Sequence, residues 1–174
     1  MSRDTILGYI LIGVVILVCC KMFRESEAFN LTCVISDVDG HKYCVRDREM
    51  VQEAADKLAR TVVKCKTLVT YMQQNHAHND ITKRVVKGFN PQKVMETLPT
   101  SIHTAYSENK GEKLAFCLNS GENSKKLIDD NTLTFVAIHE LSHIGTYQVG
   151  HTPIYWENFK FLLENAVEAG IYKP

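Results

Sequence analysis

The chain has no excess of charge of either sign. Its 20 Lys and Arg residues balance its 20 Asp and Glu residues, and no basic tail or lysine run occurs in its 174 residues. Proteins that bind nucleic acid as their main function concentrate positive charge against the phosphate backbone. We therefore expect no nucleic-acid partner. Internal repeats and low-complexity segments are also missing, and the length suits one domain with a single core.

The six cysteines lack the spacing of a disulfide framework. Cys19 and Cys20 lie in an apolar N-terminal run, where palmitoylation and simple contact with lipid are both consistent with their position. The other four are interpreted as small apolar groups, mostly buried, in a reducing compartment. These four are Cys33, Cys44, Cys65 and Cys117.

The N-terminal run from Ile6 to Cys20 is uncharged and strongly apolar. Counted through Cys20, the run is slightly shorter than the roughly 17–25 residues that a helix needs to cross a bilayer. Lys21 can extend its ammonium to the interface, and Met22 and Phe23 add apolar surface, so the predicted span covers residues 6–23. A cleaved signal peptide is disfavoured, because no small-x-small cleavage pattern is present. A buried core helix is the other alternative. We predict a membrane anchor over residues 1–24 and a linker over residues 25–30.

The charges around this run indicate its orientation only weakly. Lys21, Arg24 and Lys42 outweigh Arg3, and the positive-inside rule then places the C-terminal domain in the cytoplasm. A glycosylation sequon, Asn30-Leu31-Thr32, would matter only if that domain were lumenal.

The middle of the chain alternates between strand and helix patterns. Two pairs of β-rich runs, one on each side of Asp39-Gly40 and one on each side of residues 108–111, predict hairpins. A helix is predicted from Asp47 to Gln74, a short basic helix from Ile81 to Lys87, and a short turn or helix from Gln92 to Leu98. Apolar residues of the long helix recur at spacings of four and three, which favours packing along a sheet, with a dimeric coiled coil as the alternative.

The run from Phe135 to His151 contains H-E-x-x-H as His139-Glu140-Leu141-Ser142-His143. Two histidines four residues apart on a helix lie on the same face and can bind one Zn²⁺. Glu140 is then placed to act as general base on a metal-bound water. The apolar residues around this motif indicate that its helix is buried.

A catalytic zinc site typically has three protein ligands, and His151 is the predicted third. Gly150 permits a sharp turn before it, and Thr152-Pro153 are the expected N-cap and first residue of the next helix. The rival ligands are carboxylates of that last helix: Glu157, Glu164 and Glu168. The remaining histidines are interpreted as solvated or structural: His41, His76, His78 and His103.

The sequence HELSH, followed by GHTPIYW at residues 150–156, resembles the compact zinc peptidases of the WLM and SprT types. His151 comes eight positions after His143, whereas metzincins have H-E-x-x-H-x-x-G-x-x-H, and Thr146 occupies their glycine position. The lack of a basic segment departs from the DNA-repair members of the WLM and SprT group, so their crosslink-repair role is not transferred.

The segment from Glu96 to Tyr172 also resembles uncharacterised proteins of large nucleocytoplasmic DNA viruses. This resemblance covers most of the chain after the N-terminal run. It implies a zincin fold and, if the chain is viral, a host or virion membrane. It implies little about biological role.

Together these features predict an α+β fold, with a minimal zincin-like domain over residues 31–174 behind one transmembrane helix. The predicted function is a membrane-anchored peptidase with one zinc ion, in which Glu140 activates a zinc-bound water to hydrolyse a peptide or protein substrate. Two alternatives stay open: a non-catalytic, zinc-stabilised structural or interaction protein of a membrane or virion, and a zinc hydrolase of other substrates.

Two further groups of site residues are predicted. The donor to the oxyanion is sought among Tyr106, Tyr147 and Tyr155. In zincins an edge strand beside the cleft pairs with the substrate, and the strand just before the zinc helix is the candidate. Its residues are Leu114, Ala115, Phe116, Cys117 and Leu118. The sequence leaves the oligomeric state and cleavage specificity open.

Overall fold

The computed structural model describes residues 3–24, 26, 30–121 and 126–174. Apart from Ser26 and Asn30, the predicted linker lies outside the described residues. The described helices are α1 (Arg3–Arg24), α2 (Val51–Asn75), α3 (Asp80–Gly88), α4 (Asp130–Gly145) and α5 (Pro153–Glu168). The described strands are β1 (Leu31–Ile35), β2 (Lys42–Arg46), β3 (Val94–Glu96), β4 (Ala105–Glu108) and β5 (Lys113–Phe116). This mixture of helices and small sheets confirms the predicted α+β class.

The strands form two small sheets. β1 and β2 make the first predicted hairpin, with Leu31 opposite Arg46 and Ile35 opposite Lys42. The second sheet has the order β3-β5-β4, in which β4 and β5 form the second predicted hairpin. The short turn or helix predicted from Gln92 to Leu98 is wrong, because β3 pairs there in parallel with β5. Parallel pairing joins segments that are distant in sequence, so a local pattern does not reveal it.

The apolar stripe of α2 packs inside this chain. Ala55, Leu58, Val62, Cys65 and Met72 are all buried in the hydrophobic core, as the packing prediction requires. The alternative of a dimeric coiled coil needs the same stripe to be free. The stripe is covered by the chain's own residues, so the structure gives that alternative no support.

A buried carboxylate joins the hairpin to the three-stranded sheet. Glu96 on β3 is 1% exposed and forms ion pairs with Arg46 and Arg48. Its Oε2 also accepts the backbone N–H of Arg46 at 2.8 Å, and Arg48 donates to Asn119 at 2.8 Å. A buried charge is tolerated only when it is paired and hydrogen-bonded, and this network meets both conditions.

Two of the cysteines that were predicted to be reduced form a disulfide. Cys33 and Cys44 lie directly opposite each other on β1 and β2 and form a disulfide. Their pairing depends on hairpin register, which the spacing rules for disulfide frameworks do not consider. Cys65 is buried as predicted, and Cys117 is a half-buried free thiol.

Helix α1 contains a segment that is long and apolar enough to cross a membrane, Thr5–Phe23. None of that segment is buried, and α1 contributes no residue to the described hydrophobic core. This argues against the alternative of a buried core helix. Length and composition are all that the finding rests on, and an N-terminal signal sequence meets the same criteria.

Candidate metal centre

Two aspartates fix the N-terminal end of α4, the helix that carries His139 and His143. The Asp129 carboxylate caps the helix by accepting the backbone N–H groups of Asn131 at 3.0 Å and Thr132 at 2.9 Å. Next to it, the Asp130 carboxylate forms ion pairs with Lys57 and Arg60 of α2. A negative charge at a helix N-terminus also interacts favourably with the helix dipole. The described core includes the apolar face of α4: Leu133, Ala137, Ile138, Leu141 and Ile144.

The chain reverses immediately after α4 and returns towards it. Thr146 leaves the helical conformation, and its hydroxyl donates to Ser142 O at 2.7 Å. Gly150 has a φ of +84°, a conformation that glycine adopts without steric cost. The Thr152 side chain then caps α5 by accepting the backbone N–H of Tyr155 at 3.3 Å. His151 therefore lies at the corner between two capped helices, where the sequence pattern predicts it.

The three imidazoles converge through their Nε2 atoms. His139 Nε2 lies 3.3 Å from His143 Nε2 and 3.1 Å from His151 Nε2. Ligands about 2.0–2.1 Å from a tetrahedral zinc stand roughly 3.3 Å apart, which these separations match. Among the residues that the structure describes, this is the only group of three or more His, Cys, Asp or Glu side chains arranged to hold a metal ion.

The protonation of these histidines suits metal binding, because only neutral imidazole is a ligand. Burial, the neighbouring His139 and His151 rings and the Lys110 ammonium together lower the pKa of His143 to about 4. Burial, followed by the His151 ring, also lowers the pKa of His139. Both rings are therefore neutral near pH 7, each with a nitrogen lone pair available to a cation.

Tyr155 contacts His139 at Nδ1, the ring nitrogen that does not face the other two imidazoles. Its hydroxyl oxygen lies 2.7 Å from His139 Nδ1, and the same hydroxyl donates to the His139 carbonyl at 3.3 Å. With Nε2 used for a metal, Nδ1 carries the proton and donates it to Tyr155, which fixes tautomer and ring orientation. The Tyr155 ring also stacks on His143, with centroids 4.4 Å apart.

Glu140 lies beside the imidazoles in a cleft. The side chain is 5% exposed, and burial raises its pKa to about 7. A divalent cation nearby would oppose this increase by favouring the carboxylate. Burial and a bound cation would therefore shift the pKa of this carboxyl in opposite directions.

The cleft runs between the second hairpin and the loop that carries His151. One wall consists of Ala105, Tyr106 and Ser107 on β4, followed by Asn109 and Lys110 in the turn. The opposite wall comprises Val149, Gly150 and His151, with His139, Glu140 and His143 between the two walls.

The predicted substrate strand is corrected by this topology. β5 is the central strand of its sheet and pairs on both sides. The predicted residues lie in this strand or directly after it: Leu114, Ala115, Phe116, Cys117 and Leu118. Four of the five residues are buried, with Cys117 half-buried. The edge strand beside the cleft is β4 instead. Sequence order misled the prediction, because the strand nearest to α4 along the chain is not the one nearest to it in the sheet.

The three candidate tyrosines for the oxyanion separate clearly. Tyr106 lines the cleft, whereas Tyr155 is fully buried with its hydroxyl bonded to His139. Tyr147 is 88% exposed. Of the three, Tyr106 is therefore the one that lines the cleft, and Tyr155 contacts His139 instead.

The rival ligands and remaining histidines lie elsewhere. Glu168 accepts a hydrogen bond from Tyr71 at 2.9 Å, and Glu164 lies 3.9 Å from the Lys160 ammonium. Glu157 is exposed. His76 packs edge-on against Phe161. None of these, nor His41, His78 or His103, belongs to the metal-holding group that the structure describes.

Sequence reasoning missed two residues of the site. The sequence offers Tyr155 as part of the resemblance motif and as a packing residue or oxyanion donor, but not as a partner of His139. Its position three residues after an N-cap places it in the first turn of α5. The sequence indicates only that Lys110 is part of a turn. Its φ of +57° is uncommon for a residue with a side chain, and such conformations are frequent at functional sites.

Comparison with known proteins supports the fold more firmly than the activity. The structure is similar to the crystal structure of Wss1 from Saccharomyces cerevisiae, a WLM-type zinc protease, with a TM-score of 0.54 over 72% of this chain and 87% of that chain. The sequence identity is 12%, so this likeness concerns the fold. It confirms the resemblance to WLM-type peptidases. No family model matches the chain.

The sequence relatives are viral. An uncharacterized protein of Acanthamoeba polyphaga mimivirus is 26% identical over 173 residues, which cover 95% of this chain and 87% of that protein. An uncharacterized protein of Invertebrate iridescent virus 3 is 34% identical over 86 residues, or 49% of this chain and 50% of that protein. These matches confirm the predicted resemblance to proteins of large DNA viruses.

Replacing Tyr155 with Phe tests its role behind His139. The variant keeps the buried ring but removes the hydroxyl that accepts from Nδ1, and such supporting bonds typically contribute 10–100-fold in metal affinity. We expect zinc affinity to fall about tenfold, measured by competition with a chromogenic chelator. Tyr147→Phe removes a hydroxyl from an exposed side chain and should bind zinc as the wild type does. Equal affinities for Tyr155→Phe and wild type would contradict the assignment.

Proposed function

We propose that this chain is a membrane-anchored, zinc-dependent peptidase, with residues 31–174 as its catalytic domain. The observation that carries the proposal is the convergence of His139, His143 and His151 beside the buried carboxylate of Glu140, in a cleft bordered by an exposed strand edge. The Wss1-like fold supports it.

The donor set fits zinc. Three imidazoles would hold the ion, which is the number of protein ligands typical of catalytic zinc sites, whereas structural sites have four. When bound, zinc lowers the pKa of a coordinated water towards about 7 and polarises a carbonyl oxygen. His139, His143 and His151 would hold the ion, with Tyr155 fixing the orientation of His139.

Glu140 is the proposed general base and acid. Its carboxylate would accept a proton from the attacking water and deliver it to the nitrogen of the leaving amine. Burial serves this role because it raises the pKa of the carboxyl, which makes the carboxylate a stronger base. A solvated glutamate would be a weaker base and would compete with bulk water.

The substrate is proposed to bind as an added strand along β4. Cys117 N–H donates to Thr104 O across the hairpin, and backbone groups in antiparallel strands alternate in direction. The N–H and C=O groups of Ala105 and Ser107 therefore point away from β5, towards the cleft. An extended peptide can pair with them through main-chain hydrogen bonds, which tolerate many side-chain sequences. Tyr106 is the proposed donor to the oxyanion.

Anchoring by residues 6–23 completes the proposal. The apolar segment of α1 is exposed along its length, and a bilayer is the environment in which such a surface is stable. The viral relatives point to a host or virion membrane. The neutral net charge gives no support to a nucleic-acid partner.

A purely structural zinc site is the disfavoured alternative. Structural sites are closed by four protein ligands, whereas this group has three and opens to a cleft. A buried glutamate next to the ligands would also cost stability without serving a structural metal.

Glu140→Gln should abolish cleavage while leaving zinc bound. Loss of general acid–base catalysis typically costs 10²–10⁴-fold, so we expect turnover to fall at least 100-fold. The measurement is digestion of a broad peptide library by the full chain in detergent, with zinc content determined in parallel. Glu157→Gln alters an exposed glutamate and should retain wild-type activity. Undiminished cleavage by Glu140→Gln would show that Glu140 is not the base. If the wild type cleaves only non-peptide esters or amides, the alternative of a zinc hydrolase of other substrates is favoured.

Ser107→Pro tests the substrate strand. Proline removes an N–H that points into the cleft but leaves the β4–β5 hydrogen bonds in place, because edge strands tolerate proline on their free side. Loss of one hydrogen bond of about 1.4 kcal/mol lowers kcat/KM about tenfold. Ser107→Ala retains the N–H and should be close to wild type. Equal kcat/KM for both variants would argue against pairing along β4.

A further inference from the structure

Lys110 connects three parts of the cleft through one side chain. It lies in the turn between β4 and β5, and its ammonium donates to the carbonyl of His143 at 3.2 Å, Thr146 at 2.7 Å and Gln148 at 3.2 Å. The first acceptor belongs to the last turn of α4. The other two belong to the loop that leads to His151. A cation at this end of a helix is also favoured by the helix dipole.

The turn that carries Lys110 is rigidly placed. Gly111 has a φ of +104°, and a Cβ there would collide with the carbonyl of Gly88 and with Ile144. The turn thus packs directly on the C-terminal end of α3 and on α4. The backbone of Lys110 is therefore held in place, and its ammonium extends from there to the loop.

The loop itself has little apolar packing to hold it. Tyr147 is 88% exposed and Val149 is 87% exposed, although this segment must place His151 within ligand distance of His139. Polar contacts to its backbone consequently contribute much of its order. Two of the three Lys110 hydrogen bonds are contacts of this kind.

We infer that Lys110 is a positioning residue for zinc binding, which holds the loop of His151 against the end of α4. The inference rests on the proposed metal site but not on catalysis. A second cation provides a matched comparison, because Arg84 Nε donates to Gly145 O at 2.5 Å, on the same helix end but outside the loop. Replacing either Lys110 or Arg84 removes a hydrogen bond to the C-terminal end of α4. Only replacement of Lys110 also removes the hydrogen bonds to the loop that carries His151.

The test measures zinc affinity of the full chain by chelator competition. We expect Lys110→Met to bind zinc about tenfold more weakly, as other supporting residues of metal sites do, while Arg84→Met stays within twofold of wild type. Lys110→Arg keeps the charge and the N–H donors and should restore most of the affinity. Wild-type affinity in Lys110→Met, or an equal loss in Arg84→Met, would overturn the inference.

A double substitution distinguishes positioning from general stability. If Lys110 acts through the third ligand, Lys110→Met should have no further effect on zinc affinity in a His151→Ala background. An additive loss would show that Lys110 acts elsewhere. Zinc binding without peptide cleavage would refute the proposed peptidase and leave this inference intact, whereas cleavage with unaltered zinc affinity in Lys110→Met would do the reverse.

The Cys33–Cys44 disulfide carries a separate inference about membrane side. Tyr43 and Val45 point into the core, so Cys44 between them points to the outer face of the hairpin, where Cys33 is exposed. A disulfide accessible to solvent is reduced in the cytosol by the glutathione and thioredoxin systems. The bond therefore requires an oxidising compartment.

We propose that the catalytic domain faces the oxidising side of the membrane, the lumen or exterior, opposite to the orientation predicted from charge. The charge bias depends partly on Lys42, 18 residues after Arg24, and is weak. Formation of the bond removes two protons and two electrons from the two thiols, and a disulfide-bearing oxidoreductase of that compartment accepts them as its own disulfide becomes a dithiol. This proposal rests on the proposed anchor.

The test uses full-length protein in microsomes from eukaryotic cells. Free thiols are blocked first, and the sample is then reduced and labelled with a heavy maleimide. We expect two labels on wild type and none on the Cys33→Ser/Cys44→Ser variant, with the domain resistant to protease until detergent is added. Digestion in intact vesicles would overturn the orientation, and free Cys33 and Cys44 thiols would overturn its basis.

Discussion

Burial of the apolar face of α4 is the constraint on which the site depends. This face packs against α2, α3 and α5, and it leaves the two histidines of H-E-x-x-H on the opposite, cleft-facing side. Because protein interiors are closely packed, the helix cannot rotate without displacing core side chains. The positions of His139 and His143 are therefore fixed by hydrophobic packing, before any metal binds.

The third histidine is held by a different kind of interaction. Its loop is exposed, so hydrogen bonds and capped helix ends determine its position instead of apolar burial. Thr152 fixes the start of α5, Tyr155 returns from α5 to His139, and Lys110 bonds to the carbonyls of the loop. Two of the imidazoles are thus held by the packed core, while the loop that carries the third is exposed.

The disulfide and the buried Glu96 network serve the same region of the fold. One joins β1 to β2, and the other joins β2 to β3 through Arg46. The sheet that includes β4 is thereby connected to the hairpin that follows the proposed anchor in the sequence. If the domain faces an oxidising compartment, a covalent bond there replaces stability that a larger core would provide elsewhere.

The sequence alone determined the helix of H-E-x-x-H, the turn at Gly150 and the start of α5 at Thr152, because each depends on residues within a few positions of one another. Tertiary structure decided what depends on distant residues. The parallel pairing of β3 placed β5 in the centre and β4 at the edge, hairpin register joined Cys33 to Cys44, and packing of α5 on α4 brought Tyr155 to His139. Contacts between segments far apart in sequence leave no local periodicity, and for that physical reason only the folded chain reveals them.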